Sequence, residues 1–112
     1  MATSYKVLGQ AATATLGAST EGTLYTAGGT SAVVSSIVIC NQAATPATYK
    51  IAVRPYGQSS TTAPNWIVYG ATVAGSDSTF LTAGLTLAVG DKIEVSASTN
   101  TVSFSAFGSE LS

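Results

Sequence analysis

The amino-acid sequence predicts an all-β protein, a single antiparallel β-sandwich of jelly-roll type with about eight strands. Short runs rich in Thr, Ser, Val, Ile and Tyr recur along the chain, and the best helix-forming residues are scarce. Within these runs large apolar residues alternate with polar ones, which is the pattern of a strand with one buried face. The chain has 112 residues, so a single domain over residues 1–112 accounts for its length.

Eight strands are predicted from these runs. Turn-forming clusters such as Gly28-Gly29 and Gly90-Asp91 separate them. Even spacing of short strands without intervening helices favours a sandwich or barrel over an α/β fold. In residues 84–95 a Gly-Asp turn leads into a strong strand, a layout that is frequent in jelly rolls. The predicted strands span residues 5–10, 22–26, 31–41, 47–54, 65–73, 77–82, 92–98 and 102–108.

Three of the predicted strands alternate cleanly. Tyr49, Ile51 and Val53 occupy one face of the fourth strand, and the basic residues Lys50 and Arg54 lie on the other. The seventh and eighth strands repeat this pattern. Each is therefore predicted to pack one face on the core and to present the other to solvent or to a partner.

Two segments and one residue depart from the alternation. Residues 32–40 place apolar side chains on both faces, which predicts a central strand covered on both sides. In the fifth strand Trp66 and Val68 lie on the face opposite Tyr69, and Phe107 breaks the pattern of the last strand. Large apolar groups that point outward are candidates for a subunit interface. The alternative is a β-bulge that turns each of them back into the core.

Charge is scarce in this sequence. Charged residues make up 8% of the chain, against about a quarter in an ordinary soluble domain. A near-neutral surface gives up the repulsion that keeps monomers apart, which indicates a protein built to sit in an assembly. The net charge of -1 gives no electrostatic basis for binding nucleic acid or anionic lipid.

The sequence contains no set of residues suited to catalysis. It has no His, which excludes a Ser-His-Asp triad and most transition-metal sites, and it has no Asp-rich calcium motif. Asp91 and Glu94 come nearest to a carboxylate pair, but Asp91 fits its turn and Glu94 fits the exposed side of the next strand. Cys40, the only cysteine, lies in an apolar run and is expected to be buried. We therefore expect no enzyme activity, no cofactor and no metal.

No targeting segment is recognisable. The first residues do not combine a basic region with an apolar stretch, and no apolar run reaches the roughly 18 residues that span a bilayer. We expect a protein made in the cytoplasm without a signal peptide and without a membrane partner.

The cluster Arg54-Pro55-Tyr56 is the most distinctive local feature. Its Arg is the only one in the chain, and an Arg can make a bidentate contact across a subunit boundary. Pairing with Glu94 or Asp91 inside the fold is the alternative.

The aromatic residues Tyr56, Trp66 and Tyr69 also allow two interpretations. They are suited to stacking sugar rings, as in carbohydrate-binding β-sandwiches, but scattered aromatic residues of β proteins are more often core or interface residues.

Three segments carry a resemblance to a known class of proteins. They are Ala2-Thr3-Ser4-Tyr5-Lys6-Val7-Leu8-Gly9-Gln10, Ala47-Thr48-Tyr49-Lys50-Ile51-Ala52-Val53-Arg54-Pro55 and Val102-Ser103-Phe104-Ser105-Ala106-Phe107-Gly108-Ser109-Glu110. Together they resemble small virion structural proteins of tailed bacteriophages, particularly phages of cyanobacteria and other aquatic bacteria, and the similarity spans almost the whole chain. Such proteins are typically β-sandwich decoration or cement proteins on the outside of the capsid, often trimers. Others belong to the tail, baseplate or fibre.

The resemblance implies a capsid decoration protein on the exterior of the virion. Its expected partners are the major capsid protein and, in a homotrimer, other copies of the chain. The alternative is a tail, baseplate or fibre module that binds a host surface glycan. The residues predicted to form the interface are Arg54, Tyr56, Trp66, Val68, Phe107 and Leu111.

Overall fold

The computed structural model describes residues 3–111, and all of its strand pairs are antiparallel. Eight strands account for most of these residues, with one short helix and one 3-10 turn between them. In chain order the elements are β1 (Thr3–Ala12), α1 (Thr13–Leu16), β2 (Gly22–Thr26), β3 (Ser31–Asn41), β4 (Ala47–Arg54), a 3-10 turn (Ala63–Asn65), β5 (Trp66–Val73), β6 (Asp77–Ala88), β7 (Lys92–Ala97) and β8 (Val102–Leu111).

The strands form two four-stranded sheets packed face to face. Sheet I has the order β1-β8-β3-β6, and sheet II has the order β2-β7-β4-β5. Every connection except β4 to β5 therefore passes from one sheet to the other, which is the strand order of an eight-stranded jelly roll. The prediction of an antiparallel jelly-roll sandwich is confirmed.

The core lies between the inward faces of the two sheets. Across it, the rings of Tyr49 and Phe104 meet edge to face with their centroids 6.4 Å apart. At one end, α1 is fixed by Thr13, whose hydroxyl donates to the carbonyl of Val102 and accepts from its N–H, both at 3.0 Å. The largest fully buried apolar side chains are Phe104, Ile37, Ile39, Ile51, Leu87, Ile93, Val34, Val73, Val95 and Val102.

The sixth strand is longer than the sequence pattern indicates. It runs to Ala88 rather than ending at residue 82. In the pairing of β3 with β6, Ser36 faces Thr82 and Val34 faces Leu85, so β6 carries one residue more than β3 between these pairs. This bulge interrupts the alternation without ending the strand.

An irregularity in β3 explains why its apolar residues fall on both parities. The register with β8 shifts between Val34 and Ser36, so the buried positions change from even to odd numbers along the strand. The expectation that β3 is covered on both sides is therefore wrong, because Val33 is 41% exposed on the outer side. Cys40 is half-buried on that side and does not lie in the core.

Two further bulges reorient the side chains of β5. Tyr49 pairs with Ala71 and Lys50 with Tyr69, which leaves Gly70 as an extra residue at φ +82°. A second shift lies between the partners of Ile51 and Ala52. Val68 consequently packs against the core, whereas Tyr69 is 68% exposed on the outer side of sheet II with Trp66.

Among residues 3–111, no helix is long and apolar enough to cross a membrane.

Candidate functional site

The outer side of sheet I is a broad surface without charge, called the uncharged face below. Alternation and the strand register determine which side chains point outward there. Within the described part of the chain, none of them is charged. The outward residues are Thr3, Tyr5, Val7, Gln10, Ala12, Ser31, Val33, Ser36, Val38, Cys40, Ser78, Phe80, Thr82, Thr86, Ala88, Ser103, Ser105, Phe107, Ser109 and Leu111.

Large apolar groups stand in the middle of the uncharged face. Phe107 on β8 is paired with Val7 on β1, and Phe80 on β6 is paired with Val38 on β3. Phe80 is 70% exposed, and Tyr5 at the edge of the sheet is 86% exposed. Small hydroxyl-bearing residues fill most of the remaining positions, so the face offers apolar contact and neutral hydrogen-bonding groups.

Sheet II is different, because the segment between β4 and β5 crosses its outer side. The segment leaves β4 at Arg54 and reaches the residue before β2, where the hydroxyl of Thr61 donates to the carboxylate of Glu21. It then returns to β5 through Asn65, which is buried and accepts from the N–H of Thr62 at 2.8 Å. This cover explains why Ala52, on the outer side of β4, has no exposed surface.

Arg54 lies under this segment and pairs with carboxylates inside the fold. Its guanidinium donates to Glu94 at 3.0 Å and lies 3.8 Å from Glu21. The side chains of Arg54 and Glu94 are only 13% and 6% exposed. The structure thus shows the intramolecular alternative for Arg54, with Glu94 rather than Asp91 as its partner. Sequence alone does not reveal the covering segment, and Glu94 is buried where the strand pattern predicts exposure.

Asp91 holds the turn between β6 and β7. Its two carboxylate oxygens accept from the N–H groups of Tyr56 and Ala88, each at 2.9 Å. Gly90 precedes it at φ +88°, and a Cβ there would clash with the ring of Tyr56. Tyr56 is 79% exposed yet fixed at its backbone. The prediction that Asp91 serves its turn agrees with this geometry.

A second charged cluster stands at the rim of the sandwich. Lys6 lies 2.8 Å from Glu110, which also accepts a hydrogen bond from the hydroxyl of Tyr25. The hydrogen bond from Lys6, and after it the one from Tyr25, lowers the pKa of Glu110. Burial, reinforced by the hydrogen bond to Glu110, raises the pKa of Tyr25 to about 12. This cluster joins β1, β2 and β8 and leaves the uncharged face free of charge.

A polar cleft of about 190 Å³ opens on the outer side of sheet II. It is lined by Ser19, Thr48, Lys50, Ser96, Ala97 and Ser98. The ammonium of Lys50 stands 4.3 Å from the centroid of the Tyr69 ring and 5.7 Å from that of Trp66. The two rings meet edge to face at 5.4 Å. In residues 3–111, no group of three or more His, Cys, Asp or Glu side chains is arranged to hold a metal ion.

The six predicted interface residues do not form one surface. Phe107 and Leu111 lie half-buried on the uncharged face of sheet I. Trp66 lies on the outer side of sheet II, Arg54 lies beneath the covering segment, and Tyr56 stands beside the β6–β7 turn. Val68, the sixth, packs against the core as the bulge alternative requires.

Sequence reasoning missed several outward apolar residues. Tyr5, Val7, Val33 and Phe80 belong to the uncharged face and are among the exposed large apolar side chains. The signal that could have found Phe80 is its pairing opposite Val38, on the side where the predicted central strand has its second apolar row.

The jelly roll is shared with solved viral structures. A structure of the Gx strain of infectious bursal disease virus contains a chain that is similar to this one, with a TM-score of 0.57 and 12% identity. A crystal structure of the T13 viral particle of that virus contains another, with a TM-score of 0.57 and 15% identity. Both similarities cover 96% of this chain and 32% and 29% of the viral chains, so this protein spans about a third of their length. At these identities the likeness shows the fold alone. No protein-family model and no curated protein matches the sequence.

Proposed function

We propose that this protein is a non-enzymatic structural component of a tailed-bacteriophage virion, a decoration or cement protein. In this proposal it binds the outer surface of the head as a homotrimer and stabilises the contacts between major capsid subunits. The observation that carries the proposal is the uncharged face of sheet I. Phe107 and Leu111 are the predicted interface residues that lie on it.

Burial of this face against another protein has little electrostatic cost. A charged side chain that loses its water without gaining a partner destabilises an interface by several kcal/mol. None of the outward side chains described for sheet I is charged, so contact requires no such desolvation. Phe80, Phe107 and Val7 supply the apolar contacts, and Ser and Thr hydroxyls supply hydrogen bonds around them.

The size of the face suits a component that is held in many copies. Four strands about 4.8 Å apart and about ten residues long cover roughly 600 Å². A standard protein interface buries about 800 Å² on each partner, so a single contact through this face is of modest size. Repetition over a particle, and linkage of copies in an oligomer, raises the total strength without larger individual contacts.

The fold is compatible with this role. Two solved structures with similar chains are described as a strain and a particle of infectious bursal disease virus. The phage assignment, the exterior location and the trimer derive from the sequence resemblance and remain part of the proposal.

The number of copies per particle tests the proposal. Gel densitometry of purified virions is expected to show this protein at a copy number comparable to that of the major capsid protein. Absence from the particle would refute a virion role, and a few copies at a single site would refute the decoration role.

A matched pair of variants tests the surface itself. Thr82→Lys places a charge on the uncharged face, and Thr23→Lys places the same charge on an exposed strand position of sheet II. Particles that lack the protein are incubated with each variant and pelleted. Thr82→Lys is expected to lose retention while Thr23→Lys keeps it, and equal retention of both would exclude the uncharged face as the docking surface.

The second candidate is a tail, baseplate or fibre module that binds a host surface glycan. The observation that favours it is the exposed ring of Tyr69, which packs against the half-buried Trp66 near a polar cleft. A low copy number at one end of the particle would support this location.

A further inference from the structure

Lys50 is held over aromatic rings at the rim of the polar cleft. Its ammonium stands 4.3 Å from the centroid of Tyr69 and forms no salt bridge with the residues that the structure describes. A cation–π contact orients the ammonium but does not occupy its N–H donors. Lys50 therefore presents hydrogen-bond donors and one positive charge to whatever enters the cleft.

Hydroxyl groups cover the rest of the cleft. Ser96 lies opposite Lys50 in the strand pairing and is 7% exposed. Its hydroxyl makes no hydrogen bond within residues 3–111, although it lines the cavity. The hydroxyl of Ser98 accepts from the N–H of Thr48 at 3.0 Å, which leaves its own proton free to donate. The Ser96 hydroxyl is not among the buried polar atoms that lack a partner, so it is open to the cleft and can bond to a group that enters it.

Two aromatic rings lie beyond Lys50, outside the residues that line the cleft. The Gly70 bulge turns Tyr69 outward, where it is 68% exposed and braced at 5.4 Å by the ring of Trp66. The two rings position the ammonium of Lys50 at the rim, and the hydroxyl-bearing side chains of the cleft can bond to the hydroxyls of a sugar.

We propose that this cleft binds a single sugar residue that carries a carboxylate, of the uronic-acid type. The carboxylate would pair with Lys50, and the ring hydroxyls would bond to Ser96, Ser98 and Thr48. The cavity of about 190 Å³ is below the roughly 300–1,000 Å³ of sites for drug-sized ligands, which limits it to one small unit. This inference rests on the second candidate function, a module that binds a host surface glycan.

Nuclear magnetic resonance titration of the full chain tests the proposal. The three probes are methyl glucuronide, methyl glucoside and acetate. Methyl glucuronide is expected to cause saturable shifts of the Thr48, Lys50, Ser96 and Ser98 amides, with a dissociation constant in the millimolar range for so small a contact. Methyl glucoside and acetate are expected to bind about tenfold more weakly, because each lacks one half of the recognised chemistry.

Two lysine variants distinguish binding at the cleft from a general effect of the protein's positive charge. Lys50→Gln is expected to lower the affinity for methyl glucuronide about tenfold, to the level of methyl glucoside. Lys92 lies on β7, four residues before Ser96 and outside the cleft. Lys92→Gln removes an equal charge and is expected to leave the affinity for methyl glucuronide unchanged. A dispersed amide spectrum of each variant verifies its fold.

Four results would overturn the proposal. They are the absence of saturable shifts at the cleft, equal binding of methyl glucoside and methyl glucuronide, binding of acetate as tight as that of the sugar acid, and equal loss in the two lysine variants. The copy number of the protein in the virion is measured separately, so failure of sugar binding is distinguishable from failure of the structural role.

Discussion

Replacement of Arg54 by Met is expected to destabilise the fold by about 3–5 kcal/mol. Arg54 lies 3.0 Å from Glu94 and 3.8 Å from Glu21, beneath the segment that crosses sheet II. The variant leaves both carboxylates without this partner, and the side chain of Glu94 is only 6% exposed. Small domains have a total stability of about 5–15 kcal/mol, so the loss is a large part of the whole.

The same geometry predicts how the stability losses of three further variants compare with that of Arg54→Met. Glu94→Gln is expected to cost less than Arg54→Met, because Arg54 keeps Glu21 as a counterion. Glu21→Gln is expected to cost about 1 kcal/mol or less, since that carboxylate is 29% exposed and more distant. The double variant Arg54→Met with Glu94→Leu removes both buried charges and is expected to recover most of the loss.

Urea unfolding followed by the fluorescence of Trp66, the only Trp, measures these values. Lys92→Met is the control, because it removes a positive charge from the same sheet without breaking a salt bridge described in the structure. A loss of less than about 1 kcal/mol for Arg54→Met would refute the reasoning, given the 3–5 kcal/mol that breaking a buried pair costs. A double variant that is no more stable than Arg54→Met alone would refute it as well.

Three further predictions concern stability. Gly70→Ala is expected to lower the free energy of thermal unfolding by about 1 kcal/mol, because Gly70 has φ +82°. Gly84→Ala is the control, since Gly84 also has open space around it but no positive φ, and its stability is expected to be nearly unchanged. Equal losses in the two variants would contradict this prediction. Thr13→Val is expected to lower the free energy of unfolding by about 2 kcal/mol, because it removes the hydroxyl that bonds to the N–H and the carbonyl of Val102. Thr15→Val, at an exposed position, is expected to leave stability unchanged in the same assay. The lowered pKa of Glu110 contributes stability that is present above the unfolded pKa of 4.5 and is lost as the pH falls through the folded pKa. The pKa of Tyr25 is raised from 10.0 to about 12, and it contributes stability that is lost as the pH rises from 10.0 to about 12. The midpoint of urea unfolding is measured against pH. The loss of stability at alkaline pH is expected in the wild type and in the control variant Tyr56→Phe, but not in Tyr25→Phe.

The strands were predictable from sequence because each sheet has one apolar face that packs on the core. That asymmetry imposes period-two alternation, which is visible in β4, β7 and β8 without any structure. Each of the eight predicted segments coincides with an observed strand, although the ends of β1, β6 and β8 extend further than the pattern. Strand ends are set by pairing with a neighbour, and sequence alone does not specify the neighbour.

Bulges account for most of what could not be predicted. A bulge inserts one residue and reverses the faces of everything beyond it. At Gly70 this reversal brings Tyr69 to the outer side, beside Lys50, whereas simple alternation from the buried Val73 places it in the core. Near Ser35 the same effect produces the two apolar rows of β3. Glycine signals that a bulge is permitted, but the residue count of the paired strand decides whether one forms.

The scarcity of charge becomes informative when it is placed on the fold. Nine charged residues on 112 would be sparse under any arrangement, yet the structure shows that they are also segregated. Arg54 pairs with Glu94 and Glu21 on the side of sheet II, and Lys6 pairs with Glu110 at the rim. The outer side of sheet I, equal in strand number to sheet II, carries no charge in the described residues. If charged residues were merely few, they would be expected on the outer sides of both sheets. Segregation gives the molecule two unlike sides, one suited to contact with protein and one that keeps a polar cleft with a single available ammonium facing solvent.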